Sequence, residues 1–207
     1  MSDSDISAAE AAAMPDIEPI DNRLFVLVLQ HPQEQHERLA TAAIAVAALR
    51  RARLVAGLSW PNLGQALGRP ADPRRWGVAY LGSARSRALG PGAPDHSEII
   101  VLGRNGEPVG DPGAILRGLD GVVLLDGSWK EAKTLWWRNP WLLKLHRLVL
   151  NPPRPARLGR LRREPRREAL STIEAAALIL RRLEPKPAPA DALGTALDRL
   201  LSAARRR

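Results

Sequence analysis

The sequence predicts an α/β fold with a mostly parallel sheet flanked by helices. Three observations predict it. Short continuous apolar runs, Leu24–Leu29 (LFVLVL) and Gly121–Leu125 (GVVLL) foremost, have the length and unbroken hydrophobicity of strands covered on both faces. Helical segments alternate with such runs along the chain. A length of 207 residues with 45% apolar and 26% charged content is enough for one sizeable core and argues against disorder.

The elements follow in order. Residues 1–23 are rich in Ala, Asp and Glu without a long apolar period and read as an acidic, loosely ordered tail. Leu24–Leu29 is a buried strand. Gln35–Arg51 reads as one alanine-rich helix, its closing arginines suited to a helix C-terminus. Leu54–Leu58 is a short strand, Pro61–Leu67 a short helix with proline in its first turn, and Trp76–Leu81 a strand. Residues 82–95 form a loop on composition. Ser97–Leu102 is a strand, Pro112–Arg117 a helical turn and Gly121–Leu125 a strand. Ser128–Trp137 is helical, with Ser128 as N-cap and Glu131 at capping-box spacing. Leu145–Leu150 is the last strand. Residues 151–168 are a Pro- and Arg-rich connection to a helix over Ser171–Leu183. The main domain thus spans 24–184. Residues 185–207 hold a stiff PKPAPA linker (185–190) and a final helix over Asp191–Ala204.

Composition excludes several chemistries. The chain has no cysteine, so disulfides, thiolate metal sites and cysteine nucleophiles are out. His31, His36, His96 and His146 have no ligand spacing, and no metal is expected. No apolar run approaches the ~20 residues of a membrane span, and no signal peptide is evident, so a cytoplasmic protein with no membrane partner is expected. There is no GxGxxG after a strand and no P-loop. The net charge is +9. The acids cluster in the first 23 residues, which leaves 30 bases against 16 acids in the rest. Such a basic body attracts nucleic acid, although arginine excess equally reflects genomic composition.

Ligands of open α/β sheets bind beyond the carboxyl ends of the strands. Three polar clusters fall there: Gln30-His31-Pro32-Gln33-Glu34, Asp126-Gly127-Ser128-Trp129 and Asn151-Pro152-Pro153. Asp126 is either a helix cap or a site carboxylate. The Gly-Ser-Trp that follows favours a site, through close backbone approach and a stacking face. His31 reads as a hydrogen-bonding or packing residue. Of Trp136, Trp137 and Trp141, at least one belongs in the core, and an exposed one is open to RNA stacking. Seven arginines, Arg154, Arg157, Arg160, Arg162, Arg163, Arg166 and Arg167, form a candidate RNA-binding segment. They lead into Ser171-Thr172-Ile173-Glu174, a helix start that favours anions.

These pieces resemble the DTW-domain family of tRNA-uridine aminocarboxypropyltransferases. The matching residues are LVLQHPQE (27–34), Thr41-Ala42, LLDGSWKEAK (124–133), Asn139-Pro140 and LSTIEAAA (170–177), in order from about Leu24 to Leu183. The resemblance implies a SPOUT-like fold with a C-terminal trefoil knot. It implies transfer of the 3-amino-3-carboxypropyl group of S-adenosylmethionine to N3 of a uridine in tRNA, releasing methylthioadenosine. Asp126 is then the candidate general base, or else the partner of the cofactor's ammonium group. Leu125, Gly127, Ser128, Trp129, Leu150, Asn151, Pro152, Ser171, Thr172, Glu174, Gln30 and Pro32 are the candidate cofactor residues. The chain departs from the family in lacking its cysteine cluster, in Ser128 for threonine, in Tyr80-Leu81 for tyrosine-proline, and in Gly159 where an aromatic residue is usual. Rival readings are an RNA methyltransferase, a ribosomal-RNA aminocarboxypropyltransferase, and a non-catalytic RNA-binding or assembly factor.

Overall fold

The strands β1 (Phe25–Gln30), β2 (Ala52–Ala56), β3 (Trp76–Ala79), β4 (Ile99–Leu102), β5 (Gly121–Asp126) and β6 (His146–Leu150) form one sheet in the order β2-β1-β5-β3-β6-β4. All neighbours run parallel except β4, which pairs antiparallel with β6 at the edge. The structure, a computed structural model, describes residues 17–36, 41–79, 98–152, 156–157 and 170–205. The helices are α1 (Thr41–Ala47), α2 (Leu63–Leu67), α3 (Gly113–Arg117), α4 (Trp129–Arg138), α5 (Thr172–Leu183) and α6 (Ala188–Arg205), with 3-10 turns at Pro32–His36, Pro73–Arg75 and Pro140–Lys144. The expected mixed α/β fold with a mostly parallel sheet is what forms.

Alternation along the central strands divides the core in two. Val26 and Val28 of β1, with Val122 and Leu124 of β5, face α1, α5 and α6, where they meet Ile44, Ile173, Ile179 and Leu193. Leu27, Leu29 and Val123 face the other way, onto Leu63 of α2, Leu135 of α4 and Trp141 and Leu142 of the following turn. Gly121 stands between Phe25 and Trp76 in the register of β1-β5-β3. The two rings close over it, their centroids 5.9 Å apart.

The structure corrects several boundaries. The expected helix over Gln35–Arg51 gives way to a 3-10 turn at Pro32–His36 and, beyond residues 37–40, which lie outside the described residues, to α1, which ends at Ala47. Long-range pairing stops it: Ile20 bridges Leu49, its N–H donates to the Ala48 carbonyl (3.0 Å), and Arg50 N–H returns to the Ile20 carbonyl (3.0 Å). The end of the expected loose tail is therefore anchored. Buried Asn22 donates to the Leu24 carbonyl (2.7 Å) and accepts from Arg51 N–H (2.9 Å). Residues 1–16 lie outside the described residues.

The strand expected at Leu54–Leu58 forms two residues earlier, because β1 sets its register from Val26↔Ala52 to Gln30↔Ala56. The helix expected at Pro61–Leu67 starts at Leu63, with Asn62 as the N-cap that accepts from Gln65 N–H (2.9 Å). β3 is described to Ala79, and the loop expected over 82–95 lies outside the described residues. The final helix begins at Ala188, so half of the expected PKPAPA linker is helical. Its Ala190, Leu193, Leu197 and Leu201 are buried at helical spacing against α5 and α1.

Candidate functional site

β1, β5, β3 and β6 all end at the same edge of the sheet, so their carboxyl-terminal residues lie side by side. Gln30 and Asp126 are register partners at the ends of β1 and β5. Each continues the alternation of its strand, so both side chains point to the face covered by α5. There they meet. Gln30 Nε2 donates to Asp126 Oδ2 at 2.9 Å, and Thr172 Oγ1, in the first turn of α5, donates to Asp126 Oδ1. All three are buried, Asp126 to 5% exposure. Three segments separated in sequence thus converge on one carboxylate, each of whose oxygens accepts one hydrogen bond.

The start of α5 is shaped by a capping box. The Glu174 carboxylate accepts from Ser171 N–H (3.0 Å) and Ser171 Oγ (2.5 Å). It also accepts from the backbone N–H of Arg157 (2.6 Å). Ser171 and Glu174, expected to touch a cofactor, are engaged with each other. Thr172, expected in the same role, holds Asp126.

On the opposite face α4 begins with a second capping box, Ser128 with Glu131. Glu131 accepts from Ser128 N–H at 2.7 Å. Burial works against its ionisation, but the Ser128 hydroxyl and N–H together with His31 outweigh this and hold its carboxyl below the usual range. His31 Nδ1 lies 3.6 Å from Glu131 Oε1, and His31 N–H donates to the Asp126 carbonyl (3.0 Å), extending the β1–β5 ladder. His31 is a packed polar residue, as its sequence context indicates. Gly127 (φ +155°) joins the two faces. A Cβ there would stand 2.8 Å from Glu131 Cβ and 3.4 Å from His31 Cβ, so the turn from strand to helix closes only around glycine.

The other candidates are placed as follows. Leu125, Gly127 and Pro32 are half-buried at the edge, Ser128 is exposed, and Trp129 is 41% exposed beside it. Leu150, Asn151 and Pro152 end β6, two strands from Asp126, or about 10 Å at the usual strand spacing. Leu150 is buried, and Asn151 N–H is taken by the Glu98 carbonyl at 2.9 Å. Of the seven arginines, Arg154, Arg160, Arg162, Arg163, Arg166 and Arg167 lie outside the described residues. Arg157 is described, and its guanidinium pairs with Asp198 of α6 instead of standing free for RNA. Among the tryptophans, Trp141 is buried and Trp137 is 71% exposed.

Sequence reasoning missed Asn139 as an organising residue. It is fully buried beneath the C-terminus of α4. Its Nδ2 donates to the Leu58 and Leu135 carbonyls (3.0 and 2.8 Å), and its Oδ1 accepts from Trp60 N–H (2.9 Å) and Trp141 Nε1 (3.2 Å). The only local signal was an Asn-Pro at a helix end.

Among the described residues no group of three or more histidines and carboxylates stands where it could hold a metal. No helix among them is long and apolar enough to cross a membrane. A family model described as the DTW domain matches residues 7–205. No curated protein and no solved structure matches the chain.

Proposed function

This chain belongs to the DTW-domain family, the tRNA aminocarboxypropyltransferases, and from that premise we propose that it transfers the 3-amino-3-carboxypropyl group of S-adenosylmethionine to N3 of a uridine in tRNA. The observation that carries the reading is the convergence of Gln30, Asp126 and Thr172 at the carboxyl edge of a parallel sheet. The resemblance rests on the stretches around these same residues. Their meeting in space is what a shared ligand site requires.

The residues present fit the cofactor's chemistry. S-adenosylmethionine carries a cationic sulfonium and an ammonium. The edge offers a buried carboxylate with about two of its four acceptor positions still open. Bound there, the cofactor supplies a carbon made electrophilic by its sulfonium and leaves as methylthioadenosine.

The chain's part is to bind and to orient; the N3 proton, lost as the new N–C bond forms, would pass to Asp126 if the carboxylate is the base and to solvent if it is the anchor. Gln30 and Thr172 fix the Asp126 carboxylate in one orientation, and a charge-assisted bond from its open positions anchors the ammonium group. The burial of Asp126 supports this anchoring role over that of base toward uridine N3. As a base it would have to meet a bulky nucleobase while only 5% exposed. Holding the donor in line with the uridine then supplies most of the acceleration.

The SPOUT-like classification and the C-terminal knot belong to the same proposal. Their support is topological: β6 ends at the carboxyl edge, and α5 begins against Asp126 of β5, two strands away.

Incubation with S-adenosylmethionine and unmodified tRNA, followed by nucleoside mass spectrometry, tests the reading. An aminocarboxypropyl-uridine is the expected product. A methylated nucleoside or no product overturns it. Asp126→Ala separates the two roles of the carboxylate: loss of cofactor affinity marks the anchor. A turnover lowered ~10²–10⁴-fold at unchanged affinity marks the base.

A further inference from the structure

α4 carries a surface that the cofactor site does not use. Leu135 and half-buried Trp136 turn toward the sheet, while Trp129, Lys133 and Trp137 recur every fourth residue on the outer side, all exposed. Trp137 is 71% exposed, and Leu143, in the 3-10 turn that packs back on α4, is 65% exposed. These three, Trp129, Trp137 and Leu143, are the exposed large apolar side chains of the described residues, and all lie within fifteen residues of one another. Isolated exposed apolar residues are ordinary, but a cluster marks a binding surface.

Its charge identifies the partner. Lys130, Lys133, Arg138 and Lys144 are all exposed on this stretch, and among the described residues no carboxylate pairs with them. The single acid between Trp129 and Lys144 is Glu131, which is turned inward onto Ser128 and His31. Exposed indole rings between lysines are the combination that grips single-stranded nucleic acid: bases stack on the rings and phosphates meet the ammonium groups. A second copy of the chain docked here about a twofold axis would bring four cations against four, which electrostatics opposes.

We propose that the outer face of α4 is a docking surface for single-stranded RNA, with Trp137 as the base-stacking platform and Lys133 and Lys144 as phosphate-binding groups. The proposal deepens the reading above and rests on it for the RNA. α4 starts at the site edge, and Trp137 lies about 12 Å further along the helix axis than Trp129. Nucleotides flanking a uridine held at the edge would run down this face. In sequence, this surface is distinct from the arginine segment.

The test is titration of a fluorescently labelled, unmodified tRNA transcript with the full chain, with Trp137→Ala and with Lys133→Gln/Lys144→Gln, over a range of salt. Trp137→Ala is expected to weaken binding roughly 5- to 150-fold, the span that one stacked base is worth, with the salt slope unchanged. Trp137→Phe should recover most of the affinity. The double lysine variant is expected to lower the slope by about 0.7 for each phosphate that is no longer neutralised. All three should keep the parent's thermal midpoint and S-adenosylmethionine affinity, since the altered side chains are exposed. If the parent binds tRNA and the variants match it within twofold at the same slope, this face is refuted and the tRNA-modifying reading stands. If the parent binds no tRNA, both fall. A dimer seen by light scattering that Trp137→Ala dissolves, or Trp137-dependent binding to phosphatidylserine vesicles without any change in RNA affinity, also overturns the proposal by giving the face another occupant.

Discussion

Thr172→Val removes one hydroxyl from the centre of the candidate site and leaves the shape of the side chain. Thr172 and Asp126 are both buried, and the hydroxyl is one of two donors to the carboxylate. A hydrogen bond to a charged group contributes about 1.5–3 kcal/mol, and an oxygen deprived of its donor forfeits most of that. The methyl that replaces the hydroxyl gains at most about 0.8 kcal/mol of apolar burial, and it gains less beside a carboxylate. The net expectation is a destabilisation of about 1–2.5 kcal/mol. Urea unfolding should show a lower midpoint with an unchanged slope. Thr172→Ser, which keeps the donor, should lose much less. The decisive measurement is a double-mutant cycle with Asp126→Asn. If the hydroxyl acts through the carboxylate, the coupling energy should be about 1 kcal/mol or more. A valine variant that costs the same in both backgrounds would refute the reasoning. Because a loosened carboxylate anchors a cation less well, S-adenosylmethionine affinity should fall in the valine variant and stay near the parent value in the serine variant.

The remaining expectations concern the frame of the site. Gly121→Ala would place a Cβ 2.6–2.8 Å from three ring carbons of buried Trp76, and such overpacking costs about 1–3 kcal/mol, readable in urea melts. Asn139→Ala strips the partners from the Trp60 N–H and from the Leu58 and Leu135 carbonyls in a largely buried setting, at about 1–3 kcal/mol for each group left unsatisfied, while Trp141 Nε1 keeps the Trp60 carbonyl at 2.9 Å. It should be among the most destabilising single changes and should alter the near-ultraviolet circular dichroism of the adjacent tryptophans. Asp120 is held below the usual carboxylate range by its hydrogen bond with Arg75 (2.5 and 2.6 Å). Its contribution to stability is therefore complete above the ordinary aspartate value near 4 and is lost as pH falls through the lower folded value. Asp120→Asn should flatten that acid limb and leave the neutral-pH profile otherwise alike.

What was legible in the sequence was local. All six strands announced themselves as short apolar runs, and the capping box of α4 as a serine with a glutamate three residues on. Both signals lie within a few residues, and both fell close to where the structure has them. What was not legible depends on pairings across the chain. Nothing within Gln35–Arg51 says that Ile20 returns to end the helix at Ala47. Asn22 looks like one more polar residue of a tail until Arg51 is beside it. The same limit applied to the site. Gln30, Asp126 and Thr172 were each singled out, but separately, Gln30 and Thr172 as partners of a cofactor and Asp126 as a general base or the partner of its ammonium group. Their partnership with one another spans 96 and 46 residues and has no local signature.

The four residues Asp126-Gly127-Ser128-Trp129 serve both faces of the sheet, and this explains their tight spacing. Asp126 is still in register on β5, so it shares the face of Val122 and Leu124 and reaches α5. One residue later the chain leaves the ladder. Ser128 caps α4, which packs on the face of Val123 through Leu135. Because side chains alternate with period two, one residue inserted before Asp126 would turn its carboxylate toward α4 and away from Thr172. An insertion after it would leave the carboxylate in place and displace Ser128, Glu131 and the tryptophan stripe together. Gly127 is the hinge that permits the reversal in one step, since any larger residue meets Glu131. The carboxylate that would anchor the cofactor and the helix that would receive the RNA are thus fixed to each other by a single glycine. A change there is expected to separate cofactor binding, which depends on the α5 side, from RNA binding, which depends on α4. Gly127→Ala should retain most S-adenosylmethionine affinity while losing tRNA affinity and turnover. Equal losses of both affinities would mean that the two faces are not independent.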